Sequence, residues 1–533
     1  MKAPGRSSGW PELLLAALVV TASFYNLGNY PVIWWDEAIF SETAANLAVH
    51  GRYAFTVQSP DQLSDLDYRI SAGPAVILPV ALAYRLFGVG LESGRLVAGL
   101  YLLLAFGSLY LGVRRLWGRE AGLVAVALSL LGTDVLYWGR SVLGDIPALG
   151  LFLLGTWFFI RGVESARLGP LFWGGVFLGL AFDAKEFYGL AFLPPLFLWL
   201  GETRRETRRR VEGLLASGVG LALPLLAYLL LKVAILGSLA AAVWHFLEQK
   251  ALLRHEFFTP LTVGRVYWES LAYLLGHPVF WLGCAGFFWS RRLEGHSFGR
   301  RLWLWQFGVW SLMYLTAVYW QRFALPALFL AAGPAAWVLV RLTRGLLGSL
   351  PSWGRAGAAA ALAGFALATF SLSGMDILTA VMTTRANPSQ KLLEFLQARI
   401  RCDCLIETPE YELVFLTDDY RIHLMPAFFF VESTEDRVVL LNPRARTYDF
   451  DQTGADVLIL GSFGKSVFRQ VYHPAQIAKN WRRLAQVDFY DIYVRRGREH
   501  AALKKPGPQL VKQRQSGATG GYVLTPPDYP FPH

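Results

Sequence analysis

Eleven apolar runs constrain this chain more than any other feature. They lie near residues 12–30, 94–113, 121–138, 146–160, 171–183, 188–200, 212–233, 267–289, 303–319, 323–340 and 357–375. A helix needs about 20 apolar residues to cross a bilayer core, and it is one of only two structures that satisfy their own backbone there. The chain is therefore expected to be a polytopic membrane protein of about eleven transmembrane helices. Composition agrees: 54% of residues are hydrophobic, 17% are charged and the mean hydropathy is +0.36. A soluble domain is about a quarter charged. The first run lacks a small-residue cleavage site and reads as a retained anchor.

The net charge of +11 has a simple origin in loop arginines, so nucleic acid is not an expected partner. Those arginines also orient the spans. One set of loops carries seventeen basic residues, including Arg114, Arg115, Arg119, the five of 204–210, Arg291, Arg292, Arg300 and Arg301. The other set carries seven: Arg140, Lys185, Lys232, Lys250, Arg254, Arg265 and Arg322. The positive-inside rule puts the larger set, with Lys2 and Arg6, in the cytoplasm. Both assignments hold only if the apolar stretch 71–88, with two prolines and Arg85, lies on the outer surface as an interfacial helix. The outer side then receives a first loop of about 31–93, a second of about 236–266, and the C-terminal region. The expected location is the cytoplasmic membrane, with a cytoplasmic N-terminus.

Past residue 380 the long apolar runs stop. NPSQKLLEFLQARI has the pattern of an amphipathic helix; CLIET, RVVLLN, DVLILGS and FYDIYVRR have that of strands. The expected organisation is a transmembrane domain over 1–380, a small extracytoplasmic α/β domain over 381–500 and a disordered, Lys/Gly/Pro-rich tail over 501–533. Cys402 and Cys404 allow a strained local disulfide.

Several ionisable residues fall at the outer interface. Asp36 and Glu37 open a helix in WWDEAIFSETAANLAVHGRYAF. Acids there complement a helix dipole, but a partly buried carboxylate is also a good general base. Arg140 and Asp145 in YWGRSVLGDIPALG read as an internal salt bridge or as functional groups. The same choice, against a snorkelling side chain, applies to Lys185 in the hinge FDAKEFYG between two short runs. Arg69 precedes the interfacial stretch and Arg322 opens a late span. These cations, gathered at one depth, suit a phosphate on a lipid tail. Asp145, His245, Glu248 and His255 are candidate ligands for a divalent metal, although no short zinc motif joins them.

The order of these motifs resembles a known family. An Asp-Glu pair follows the first span. Arg140, Asp145 and Pro147 form R-x₄-D-x-P, a lysine sits between short spans, and R-F-A-L-P begins at Arg322. This pattern, over about 1–340, is similar to the GT-C membrane glycosyltransferases, in particular the protein O-mannosyltransferase and lipid A aminoarabinose transferase group. CLIETPEYELVFLTDD looks like the outer domain of bacterial members. The resemblance implies a polyprenyl-phosphate sugar as donor and transfer with inversion to an acceptor hydroxyl, on a glycan, lipid or protein, at the outer face. It implies Asp36 as catalytic base with Glu37 in support, Asp145 as a second acidic residue shaping the acceptor or metal site, and Lys185 as the hinge lysine. There is one departure. Aminoarabinose transferases carry a lysine just before the prolines of the interfacial helix, and Ile70-Ser71-Ala72-Gly73-Pro74 has none; Arg69 is the nearest substitute.

Two other classes fit the sequence less well. A transporter of lipid-linked sugars is expected to show internal repeats and midplane charges, and neither is evident. A non-catalytic envelope assembly protein is expected to have a degenerate first outer loop, whereas Asp36 and Glu37 are both present.

Overall fold

A computed structural model describes residues 9–504 apart from 34, 59–61, 202–206, 259–263, 294–296, 317–319, 350–374, 426–430, 435–436, 441–447, 467 and 470. The expected span at 357–375 and the tail beyond 504 therefore lie outside the described residues. The chain forms two compact units, one of Met1–Pro31 with Tyr68–Thr384 and one of Val32–Asp67 with Arg385–His533.

The first unit is helical. Its helices are α1 (Trp10–Phe24), α3 (Pro74–Phe87), α4 (Leu91–Trp117), α5 (Arg119–Leu131), α6 (Val135–Gly139), α7 (Asp145–Ser165), α8 (Leu168–Ala184), α9 (Leu193–Leu200), α10 (Thr207–Leu236), α11 (Leu239–Phe258), α12 (Gly264–Gly276), α13 (Pro278–Leu293), α14 (Phe298–Thr316) and α15 (Leu325–Ser349). A further helix, α2 (Trp35–His50), belongs to the second unit. Among the described residues, four helices are long and apolar enough to cross a membrane, or five if α12 and α13 form one bent span. The last of the four is 89% buried over its apolar window and runs through the core; α10 is 11% buried and presents its leucines outward.

Glycines set the closest helix contacts. A Cβ on Gly175 of α8 would fall 2.0 Å from the Ser217 carbonyl of α10, and one on Gly220 of α10 would fall 2.1 Å from the Phe172 carbonyl of α8. Lipid offers no hydrophobic drive between helices, so close backbone approach through small residues supplies the packing.

Several expected spans differ in detail. The run 121–138 breaks at Gly132 into α5 and α6. The run 267–289 bends by 85° between α12 and α13, because Pro278 has no N–H to continue the helix and disfavours helical geometry at His277. The outer loop expected at 236–266 is mostly helix, α11. The stretch 71–88 forms α3, whose 14 residues span about 21 Å, short of a bilayer core of about 30 Å. The hinge at Lys185 separates α8 from a 3₁₀ segment, Glu186–Phe192, and α9.

The second unit is an α/β domain. Its seven-stranded sheet has the order β2-β1-β4-β3-β7-β9-β8, from β1 (Ala54–Gln58), β2 (Gln62–Asp65), β3 (Leu405–Thr408), β4 (Arg421–Leu424), β7 (Val457–Leu460), β8 (Trp481–Val487) and β9 (Tyr490–Arg495). β5 (Val431–Thr434) and β6 (Arg437–Leu440) pair as a separate hairpin. β3 runs parallel to both β4 and β7; β9 is antiparallel to β7 and β8. The amphipathic helix appears as Pro388–Arg399, capped by the Asn387 side chain. Two strands come from far earlier in the chain, since β1 pairs with β4 through Gln58 and His423. Cys402 and Cys404 are free thiols rather than a disulfide.

Candidate functional site

Asp36 and Glu37 lie in the first turn of α2. Asp36 is half-buried, while Glu37 is wholly buried. Trp35 fixes this turn. Its ring stacks on Tyr411, with centroids 4.5 Å apart and planes 8° from parallel, and on Phe463 at 4.9 Å. Its indole N–H donates to the Pro409 carbonyl at 3.1 Å.

Tyr411 and Phe463 follow the carboxyl ends of β3 and β7. In open α/β sheets the crevice at such strand ends, where the strand order reverses, is where ligands bind. Here β4 lies on one side of β3 and β7 on the other, and Trp35 stacks on the residues that follow both strands. Glu410 joins the two ends, its carboxylate accepting the Gly461 and Gly464 N–H groups at 2.7 and 2.8 Å. Burial pushes the carboxyl groups of Glu410 and Glu412 above the usual range. Further along α2, burial raises Glu42 to about 7. Glu42 accepts hydrogen bonds from Thr56 and, at 3.2 Å, from Asn46.

A second polar cluster crosses the sheet. Buried Glu407 accepts Tyr448 and Tyr472 hydroxyls and the His423 Nδ1–H, each at 2.7 Å. The carboxylate raises the proton affinity of His423.

In the first unit the sequence-expected cations separate into three settings. The loop between Tyr68 and Ala75 meets the end of α8: Lys185 donates to Ser71 Oγ at 3.3 Å, and the Ala75 N–H donates to Asp183 at 3.1 Å. Gly73 permits this approach, because a Cβ there would fall 1.9 Å from the Asp183 carbonyl oxygen. Arg69 lies on the same loop. From the other side, Gln249 of α11 donates to the carbonyls flanking Arg69, those of Tyr68 (3.2 Å) and Ile70 (3.1 Å).

Asp145 and Arg322 form the second setting. Both are buried, with Arg322 Nε 3.8 Å from Asp145 Oδ2. Trp138, Trp320 and Phe323 surround the guanidinium at 5.5–5.8 Å. Arg140 is the third. It does not pair with Asp145, as the spacing suggested. It donates to the carbonyls of Ala22, Tyr25 and Tyr30, because the turn Ser141–Gly144 separates it from the start of α7. It thus fastens the end of α1.

Three of the metal candidates have other neighbours. His245 stacks on Tyr68 at 4.8 Å, Glu248 accepts the Tyr68 hydroxyl, and Asp145 faces a cation. The side chain of His255 lies outside the described residues. Among the described residues no group of three or more His, Cys, Asp or Glu side chains could hold a metal ion.

Residues 71–254 match the family described as dolichyl-phosphate-mannose-protein mannosyltransferase. No curated protein sequence gives a significant match. Among solved structures, ArnT from Cupriavidus metallidurans bound to undecaprenyl phosphate is similar, with a TM-score of 0.56 and 14% identity, over 91% of this chain and 98% of that one. The Archaeoglobus fulgidus oligosaccharyltransferase in complex with Zn and sulfate gives a TM-score of 0.57 at 14% identity, over 85% of this chain and 68% of that one. The archaeal oligosaccharyltransferase AglB with an inhibitory peptide and a dolichol-phosphate gives 0.52 at 13% identity, over 86% and 70%. The chain thus has the GT-C fold.

Proposed function

We propose that this chain, a membrane glycosyltransferase of the GT-C fold that uses a lipid-linked sugar, takes that sugar from a polyprenyl phosphate and transfers it with inversion to an acceptor hydroxyl on the outer face of the cytoplasmic membrane. The N-terminus is cytoplasmic and the second unit extracytoplasmic in this reading. The observation that carries it is the turn at Asp36: a half-buried carboxylate at a helix start, next in the chain to buried Glu37 and fastened by Trp35.

Asp36 accepts the acceptor hydroxyl proton as that oxygen attacks the anomeric carbon. The bond from the anomeric carbon to the donor phosphate breaks, and its electron pair leaves on the phosphate. One displacement inverts the anomeric centre and needs no covalent enzyme intermediate. General bases of this kind contribute about 10²–10⁴-fold. Charge grows on the leaving phosphate, and preorganised cations stabilise it. Lys185 and Arg69 are the candidates, on or against the loop before α3. Arg322 and Asp145 hold each other. Arg140 acts as a positioning residue through the end of α1.

The activity is tested by mass spectrometry of envelope glycans, lipids and proteins from cells with and without this protein. A pentose or hexose substituent missing only from the depleted cells supports the reading and identifies sugar and acceptor together. Identical profiles, with lipid-linked sugars mislocalised across the membrane, would favour a transporter.

A further inference from the structure

Lys232 lies near the end of α10, opposite the end that carries Arg208, Arg209 and Arg210. It is 3% exposed. Among the described residues its ammonium has no hydrogen-bond partner and forms no ion pair. Two rings face it: Tyr228 on the same helix, 4.7 Å from Nζ, and Phe246 of α11 at 5.6 Å. The acid whose charge reaches it is Asp183; one Asp183 oxygen accepts the Ala75 N–H, and the other is buried with no hydrogen-bond partner among the described residues.

Such an ammonium is costly. Removing it from water is unfavourable unless close, well-shaped partners compensate. Two ring faces offset only part of that cost. An anion reaching Nζ would satisfy its three donors. The surroundings say which anion. Asp183 and Lys185, at the end of α8, hold the loop at Ala75 and Ser71, and α11 supplies Phe246 to Lys232 and Gln249 to the same loop. Lys232 therefore stands among the elements that fasten the loop carrying Arg69.

We propose that Lys232 binds the phosphate of the lipid-linked donor. The proposal rests on the donor reading above and adds a residue to it. Lys232 makes no covalent bond; its ammonium stays protonated and offers donors to the phosphate oxygens before and after the sugar departs.

The test uses purified full-length protein in phosphatidylcholine nanodiscs. Binding of undecaprenyl phosphate is compared with that of undecaprenol, which lacks the charge, for wild type, Lys232→Met and Lys232→Arg. Wild type is expected to prefer the phosphate. Lys232→Met is expected to lose about tenfold or more of that preference, in line with hydrogen bonds to charged groups, and Lys232→Arg to keep most of it. The ligand-free Lys232→Met protein is expected to unfold at an equal or higher temperature, since methionine removes a buried charge without a direct partner. An unchanged preference in Lys232→Met overturns the proposal while leaving the donor reading intact. Failure of Lys232→Met to fold overturns it too, by making Lys232 a structural counter-charge. No preference in wild type overturns the donor reading itself, and Lys232 with it.

Discussion

Trp35 lies flat against Tyr411, 4.5 Å between ring centroids and 8° from parallel, and the residue after Trp35 is Asp36. An aromatic contact between residues far apart in the chain thus sets the place of the candidate base. Trp35→Phe keeps a ring for Tyr411 and Phe463 but removes the donor to Pro409. Trp35→Ala removes both, and burying an aromatic ring is worth about 3–5 kcal/mol in such truncations. We expect sugar transfer to fall modestly in Trp35→Phe. In Trp35→Ala kcat should fall steeply with the donor KM little changed. Steady-state kinetics with thermal unfolding of each variant checks this; equal kcat in all three proteins would detach Trp35 from the base.

The loop before α3 gives a sharper steric expectation. A methyl group at Gly73 would lie 1.9 Å from the Asp183 carbonyl oxygen, and backbone cannot yield that distance locally. Gly73→Ala should push the loop off Lys185 and weaken donor binding, while α2 and the sheet domain keep their protection in hydrogen exchange. Donor affinity equal to wild type would show that the loop does not need its place against α8.

The second unit should be more stable at mildly acidic pH than at neutral pH. Glu42 is raised from 4.5 to about 7 by burial, and Glu410 and Glu412 are raised for the same reason. Their folded forms hold protons more tightly than the unfolded chain does, so stability is full below about pH 4.5 and is lost as pH rises through about 7. His423, raised by Glu407, works in the same direction above pH 6.5. Asp403 and Glu499 are lowered, so their effect appears as pH falls below their ordinary values. Hydrogen exchange in β3 and α2, corrected for intrinsic rates, should show protection falling between pH 5 and 8. Glu42→Gln should flatten part of the slope, and an unchanged slope would remove Glu42 from the explanation.

Much of the fold can be read from residues alone because membrane and sheet patterns are local. Apolar runs mark helices by length, and DVLILGS and FYDIYVRR mark strands by composition; β7 and β9 lie within them. Long-range pairings leave no such signal. Ala54–Gln58 is five residues long and nothing in it points to His423, yet it extends the C-terminal sheet. The five-residue spacing of Arg140 and Asp145 suggested a pair, but an intervening turn sends Arg140 to backbone carbonyls and leaves Asp145 to Arg322, far along the chain. Nothing local to Trp35 points to Tyr411 and Phe463, which become its ring partners only in the folded domain. Lys232 counts in the sequence only as one more outer cation; its burial, and its lack of a hydrogen-bond partner among the described residues, are tertiary facts.

The central claim is that Asp36 takes the acceptor proton, and Asp36→Asn tests it most directly. Asparagine keeps the shape and cannot accept the proton as a carboxylate does. The measurement is single-turnover transfer from a radiolabelled polyprenyl-phosphate sugar to the acceptor identified in cells, with donor binding and unfolding temperature recorded on the same preparation. The expected result is a fall of about 10²–10⁴ in rate with binding and folding unchanged. Transfer at the wild-type rate in a folded, donor-bound Asp36→Asn protein would contradict it.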